Sequence, residues 1–227
     1  MPALYEHAVA AVRGYYDRHL SETAALDLEH HFPDGKRFIA AWRTIRDEAL
    51  AVGRRVDEVP RFHEIMPEQA DISANDGRDW RMFILKAYGV ENPKNMAACP
   101  ELTKIVRQLP DVISASFSIL GPRKHIPAHR GPLRGIIRFY LVLVMPRAVD
   151  GTPGATLRVD DTEYRLNEGE YLLWDDTFEH EAWNTTDQIR MVLSLDVRRQ
   201  HMPLRLRFLS ALLVQIVSLG VRLRGLR

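Results

Sequence analysis

Among 227 residues there is a single cysteine, Cys99. A lone thiol rules out an internal disulfide and makes a reducing, cytoplasmic compartment the expectation. The first twenty residues, "MPALYEHAVAAVRGYYDRHL", are interrupted by charge throughout and contain no apolar core of a signal peptide. Acidic residues are missing altogether from positions 201–227, which hold five arginines. The first 200 residues carry 26 basic and 30 acidic groups, so a net charge of +1 conceals a body at −4. A body of that sign gives no indication of a basic nucleic-acid-binding patch, and no nucleic-acid partner is expected. The uncharged run in the tail, Phe208 to Val221, is 14 residues long. That is short of the ~20 needed to cross a bilayer. No internal repeat or low-complexity segment interrupts the chain. What remains, 46% apolar and 27% charged residues, is the composition of a globular protein able to bury a core.

Two textures divide the sequence. Up to residue 79 the signals are helical or irregular. Tyr5, Ala8, Val9, Val12, Tyr15 and Tyr16 predict a helix over 3–20, and Phe38, Trp42, Ile45 and Ala49 predict a second after Pro33-Asp34-Gly35. Residues 53–79, with Pro60, Pro67 and "SANDGRD", read as a long surface loop. "WRMFILKAY" (80–88) reads as a strand, and 100–109 as a short helix opening on Pro100. From residue 112 short β segments follow at 113–120, 124–128, 135–145, 155–159, 162–166, 170–174 and 189–197, separated by Gly-Pro, Asp-Gly and Asp-Asp breaks. The expected fold is mainly β with helices at both ends, a jelly roll or barrel.

Alternation along these strands indicates which faces are special. In "SASFSIL" Ser114, Ser116 and Ser118 share one face, and Ala115, Phe117 and Ile119 the other. "GIIRFYLVLVMP" is apolar on both faces, as a central strand should be, yet it carries Arg138 on the face of Ile136, Tyr140 and Val142. A guanidinium there stays charged and needs an anion, either a protein carboxylate or an anionic ligand in the barrel. Arg190 opens "RMVLSLDV" on the face of Val192 and Ser194. Two arginines and a serine row on inward faces suit a pocket for a small di-acid.

Of nine histidines, His7, His19, His30, His31, His63 and His201 have no partner at metal-ligand spacing and read as surface or packing residues; His125 also reads as structural. His129 and His180 differ, each lying beside a strand end with an arginine nine or ten residues on. Many non-haem iron sites use His-x-Asp or His-x-Glu with a distant second His. Here the position two after His129 is Gly131. At this level the pair is either a metal site short of one ligand or no site at all.

The run His129-x-Gly131-Pro132, Arg138, "LVLVMP", "EGEYLLWDDTFEHEAWN" and Arg190 resembles the aspartyl/asparaginyl β-hydroxylase family over about residues 80–197. That resemblance implies a double-stranded β-helix (jelly roll, cupin-like) and a dioxygenase dependent on iron(II), 2-oxoglutarate and dioxygen. It implies metal ligation by His129 and His180 alone, with water in the vacant carboxylate position and Asp175 or Asp176 placed to hydrogen-bond it. Arg190 and Ser118 match positions that hold the distal carboxylate of 2-oxoglutarate. Arg138 matches one near its chelating end, and Trp80 aligns with a tryptophan lining the pocket. Tyr140 stands where the family commonly has His, and Val142 where it often has Gly. The implied organisation is a helical region and loop over 1–79, the dioxygenase domain over 80–200, and a basic amphipathic helix over 201–227.

Within the family, "DWRMFILKAYG", "CPELTKIVRQLPDVISASFSIL" and "HIPAHRGPLRG" look most like the bacterial branch acting on acyl chains of lipid A or ornithine lipids. The expected substrate is therefore a lipid acyl chain, with a protein or peptide Asp/Asn substrate as the alternative. A halogenase and a non-catalytic cupin-like binder are more distant readings. The segment 203–227, basic at both ends, is expected to touch the inner face of a membrane peripherally or to dock on the barrel.

Overall fold

The computed structural model describes residues 2–20 and 23–226, with side chains from position 10 onward in the first helix. Tyr5, Ala8 and Val9 thus lie outside the described side chains. Helices α1 (Pro2–Asp17), α2 (Leu28–His31), α3 (Gly35–Ala40), α4 (Trp42–Gly53), α5 (Phe62–Ile65) and α6 (Ala70–Ser73) precede the first strand. Strands β1 (Trp80–Ala87) and β2 (Val90–Glu91) lead to α7 (Pro93–Ala98) and α8 (Pro100–Arg107). Then come β3 (Val112–Leu120), β4 (His125–His129), β5 (Ile136–Val144), β6 (Ala155–Val159), β7 (Thr162–Tyr164), β8 (Tyr171–Trp174), β9 (His180–Asn184), β10 (Arg190–Arg198) and α9 (Leu204–Arg224).

The strands form two antiparallel sheets, a six-stranded one in the order β2-β1-β3-β10-β5-β8 and a four-stranded one in the order β4-β9-β6-β7. The order explains the sequence texture. β5, apolar over most of both faces, and β10, apolar on one face, are interior strands of the larger sheet, and β7, short and polar, is an edge. One face of the six-stranded sheet (Ala115, Phe117, Ile119, Phe139, Leu141, Leu193, Leu195) packs against Phe38, Ile45, Ala49, Leu102 and Val106 of α3, α4 and α8. Phe139 is at its centre, with Phe32 edge-on at 5.7 Å and Phe38 at 6.1 Å. The opposite face looks toward the four-stranded sheet and carries the serines, Arg138 and Arg190. Residues 24–26 run along the outer edge of β8, where Leu26 donates to the Leu173 carbonyl and Asp175 to that of Ala24, so this edge is covered.

Two expectations need correction. Residues 53–79 are not an open loop. They hold two 3₁₀ turns besides α5 and α6, and they are fastened down. Fully buried Lys124 donates to the Ser73 carbonyl (2.8 Å), Asn75 (2.6 Å) and Asp76 (2.6 Å). Arg81 reaches the Val59 carbonyl at 2.6 Å and Asp79 at 2.7 Å. Helical stretches of four residues carry too little periodicity to be seen in sequence. Secondly, His180–Asn184 is a strand of its own, absent from the β segments expected from the sequence. Its short "HEAWN" pattern follows a turn-rich stretch, and its pairing partners β4 and β6 are remote in sequence.

Candidate active site

The interior face of the larger sheet is ordered in rows by its register. Trp80, Leu120 and Arg190 form one row; Met82, Ser118, Val192 and Val142 the next; Ile84, Ser116, Ser194, Tyr140 and Leu172 a third; and Asp196, Arg138 and Trp174 a fourth. Six residues of β10 separate the Arg190 row from the Arg138 row, roughly 20 Å along the strand. Long side chains span that gap. Arg190 lies 5.9 Å over the Tyr140 ring, Tyr140 is edge-on to Trp174 at 5.6 Å, and Arg138 lies 5.9 Å over Trp174.

His129, ending β4, and His180, opening β9, are register partners across the smaller sheet. Their ring centroids are 4.0 Å apart, and Trp174 stands edge-on to His180 at 4.7 Å. Each imidazole directs Nδ1 at a carbonyl two residues earlier, His129 at Pro127 (2.8 Å) and His180 at Phe178 (2.9 Å). A carbonyl only accepts, so Nδ1 carries the proton and Nε2 keeps its lone pair. Burial, with further contributions from neighbouring positive charge, lowers both pKa values, His180's well below the usual range. Two neutral imidazoles with oriented Nε2 atoms are what a divalent metal requires. Among the described residues, no third His, Cys, Asp or Glu joins these two as a compact ligand cluster.

The paired aspartates after Trp174 have separate tasks. Asp175 is fully buried, receives Arg199 at 2.7 Å and Arg134 at 3.1 Å, and accepts from the Thr177 backbone and hydroxyl. Its bonds to Thr177 shape the turn before His180, and the carboxylate is taken up by these protein partners. Asp176 instead faces Gly131. A Cβ placed on Gly131 would overlap the Asp176 carboxyl group. The glycine two after His129 is therefore the residue that leaves room for this carboxylate. Asp176 also pairs with Arg138 at 3.0 Å, and burial raises its pKa to about 6 against the opposing pull of that arginine.

The two arginines turn out to be unlike. Arg138 is held by Asp196 (2.9 Å) as well as by Asp176, so protein carboxylates already answer its charge. Arg190 is 5% exposed, and its Nε is buried without a hydrogen-bond partner. No carboxylate among the described residues pairs with it, and burial lowers its pKa. Beside it, the buried Ser118 hydroxyl accepts from the Trp80 indole at 3.0 Å, leaving its own proton to donate elsewhere. Trp80 is itself stacked under Phe62 of α5 at 3.9 Å. Trp174 Nε1 is a second buried donor without a partner. His125, by contrast, pairs with Glu181 outside this interior. Asp196 and Trp174 went unselected in the sequence, although Asp196 shares the alternating face of Arg190 and Ser194 and was detectable on that ground.

The far side of the His129–Arg138 connection carries α9. Leu206, Ser210 and Val214 are buried against Tyr16, Leu133 and Ile136, and Ser210 sits so close to Gly135 that no Cβ would fit there. The opposite face leaves Phe208 (74%), Leu212, Ile216, Leu219 and Leu223 (81%) exposed. The 14-residue uncharged run understated this helix: with the flanking arginine-bearing turns it reaches 21 residues and is long and apolar enough, by length and composition, to cross a membrane, although one face is docked on the protein.

Residues 40–200 match the family described as aspartyl/asparaginyl beta-hydroxylase. The chain is 39% identical over 165 residues to an ornithine lipid ester-linked acyl 2-hydroxylase of Rhizobium tropici, covering 73% of this chain and 57% of that protein. It is 29% identical over 161 residues to the aspartyl/asparaginyl beta-hydroxylase of Homo sapiens, covering 69% of this chain and 20% of that one. This chain thus spans little more than half the length of the first relative and a fifth of the second. Among solved structures, a Pseudomonas putida prolyl-4-hydroxylase overlaps at a TM-score of 0.42 and 18% identity, over 85% of this chain and 99% of that one.

Proposed function

The chain belongs to the aspartyl/asparaginyl beta-hydroxylase family, and we propose that it is an iron(II)- and 2-oxoglutarate-dependent dioxygenase that hydroxylates an unactivated C–H bond of a lipid acyl chain. The observation that carries the reading is Arg190, a buried guanidinium that no carboxylate among the described residues pairs, on the sheet face whose Tyr140 and Trp174 rings lead from it to His180. A buried cation left unpaired costs about 3–5 kcal/mol, so a fold that keeps one is built for an anionic ligand.

The residues present fit the group. His129 and His180 would hold iron(II) through Nε2. Bound iron supplies the activation of dioxygen, with 2-oxoglutarate oxidised to succinate and carbon dioxide and one oxygen atom delivered to the substrate C–H bond. Pro127 and Phe178 carbonyls keep both rings in the ligating tautomer. Arg190 and Ser118 would take the distal carboxylate of 2-oxoglutarate by charge-assisted hydrogen bonds, and Tyr140 and Trp80 would flank it. Trp174 Nε1 offers a donor nearer the imidazoles. Arg138, already neutralised by Asp176 and Asp196, orients those carboxylates more than it binds ligand. Asp176, in the space Gly131 vacates, would accept a hydrogen bond from water in the position where other sites place a ligating carboxylate.

The acyl-chain substrate rests on the 39% identity to a lipid hydroxylase and on the exposed apolar face of α9, whose N-terminal turn bears Arg205 and Arg207 and whose last turn bears Arg222 and Arg224. Such a helix lies along an anionic membrane surface, with roughly 1 kcal/mol per arginine near it. The likeness to the human protein favours a second reading, an Asp/Asn side chain of a peptide. Succinate formation by the full chain with iron(II), ascorbate and 2-oxoglutarate decides between them. Stimulation by bacterial lipid extract, abolished in His129→Ala, is the expected result. Stimulation by Asp/Asn peptides alone would move the substrate to protein, and metal binding without turnover under either condition would overturn the enzyme reading.

A further inference from the structure

Three histidines that sequence spacing leaves unconnected meet at the edge of the protein, His30 and His201 exposed and His31 largely buried. His30 and His31 close α2, and His201 lies in the connection from β10 to α9. The His30 and His201 rings stack at 4.1 Å with 24° between their planes. His31 stands edge-on to both, 4.6 Å from His30 and 5.6 Å from His201. One ring nitrogen from each falls within 4.8 Å of the other two, the one such three-residue group among the described residues.

Both carriers are anchored. Asp27 caps α2 by accepting from the His30 backbone at 2.7 Å, and the flanking Leu28 and Phe32 are in the main core. On the other side, the Arg199 backbone donates to Gly135 at 3.1 Å, and its side chain to Asp175 at 2.7 Å. The rings therefore converge because the fold brings two fixed segments together, not because a loose loop happens to pass.

We propose that His30, His31 and His201 form a second metal site, separate from His129 and His180, for a divalent transition metal of zinc(II) type. The donor set makes the class specific. Three imidazoles without a carboxylate do not suit calcium or magnesium, which take oxygen ligands, but they do suit zinc, copper, nickel or cobalt. Metal–nitrogen bonds of about 2.0–2.1 Å need the three nitrogens closer together than 4.8 Å, a rotamer-scale adjustment that the exposed His30 and His201 can make. Three imidazoles leave one tetrahedral position for water. Occupancy would tie α2 to the segment from which α9 departs, stiffening the attachment of the helix whose apolar face is exposed. The site is independent of the proposed reaction, and its failure would leave that proposal standing.

The test uses the full chain carrying His129→Ala and His180→Ala, so that the other imidazole pair is silent. The metal-stripped protein is titrated calorimetrically with zinc(II) alone, and its metal content is measured after desalting. One equivalent with Kd of about 1 µM or tighter is expected. Adding His30→Ala or His201→Ala should weaken binding at least 30-fold. Both replace exposed side chains, so the melting temperature in chelator stays unchanged and the loss is read directly. Copper(II) bound in place of zinc should show hyperfine coupling to three nitrogens, falling to two in His30→Ala. Binding weaker than about 100 µM, or binding that survives both substitutions, would overturn the proposal.

Discussion

Arg190→Met separates two consequences that usually travel together. The substitution keeps the aliphatic length of the side chain and removes a charge that is 5% exposed and lacks a carboxylate partner. Replacing a buried charge by a well-packed apolar group stabilises by about 1–4 kcal/mol. The ligand-free variant should therefore melt higher than the wild type, by roughly 2–4 °C per kcal/mol for a chain of this size. Ligand binding should respond in the opposite sense. At a hundredfold excess over Kd, 2-oxoglutarate stabilises the wild type by about 2.7 kcal/mol, roughly 5–10 °C. Losing charge-assisted bonds worth about 2–3 kcal/mol weakens its affinity roughly 30–150-fold. The same concentration then stabilises the variant by only about 0.3–0.9 kcal/mol, a shift of roughly 1–3 °C. Thermal unfolding of both proteins with manganese(II) in place of iron, with and without 2-oxoglutarate, measures all four states without turnover. A variant that melts lower than the wild type without ligand, or 2-oxoglutarate shifts that are equal in both proteins, would refute the assignment of Arg190 as the unpaired anion seat.

Gly131→Ala should destabilise by about 1–3 kcal/mol in urea unfolding, because its methyl group meets the Asp176 carboxyl, and should also reduce succinate formation; a neutral effect on both would show that this space is free. Asp176, protonated in the folded metal-free chain up to about pH 6 but only to its ordinary pKa of 3.8 when unfolded, makes stability fall as pH rises between those values and leaves it level above. The urea midpoint of the wild type should accordingly fall relative to that of Asp176→Asn between about pH 4 and 6 and run parallel to it above, and parallel curves throughout would exclude the raised pKa. Lys124→Ala leaves Asp76 and two further acceptors without their buried donor and should cost about 3–5 kcal/mol, with new proteolytic cleavage between residues 70 and 79. Leu212→Glu with Ile216→Glu alters only exposed positions, so the melting temperature should stay within experimental error while pelleting with anionic vesicles drops; unchanged pelleting would remove α9 from the membrane.

Much of the candidate site was legible in the chain because side-chain alternation is local. A period of two places Ser118 with Ser116, Arg138 with Tyr140, and Arg190 with Val192 and Ser194, whatever the strands later pair with. The histidine spacing, the Gly131 position and the Asp-Asp-Thr turn were likewise visible, and together they carried the resemblance to a hydroxylase family before any coordinates. Apolarity on both faces marked β5 as interior, and Pro100 marked the start of α8.

Register and long-range proximity decided the rest. No local rule tells Arg138 from Arg190: both are arginines on inward faces. Only the pairing of Arg138 opposite Asp196, with Asp176 arriving from the β8–β9 turn, neutralises one, while Arg190 opposite Leu120 stays unpaired. β9 became a strand through β4 and β6, neither adjacent in sequence. Residues 53–79 were ordered by Lys124 and Arg81, which lie beyond them in the chain. His30 and His201 stack although the whole barrel lies between them in sequence. Local chemistry in the sequence determines which groups are available and which face they take; partners distant along the chain determine which of those groups are left unsatisfied, and a ligand is drawn to the unsatisfied ones.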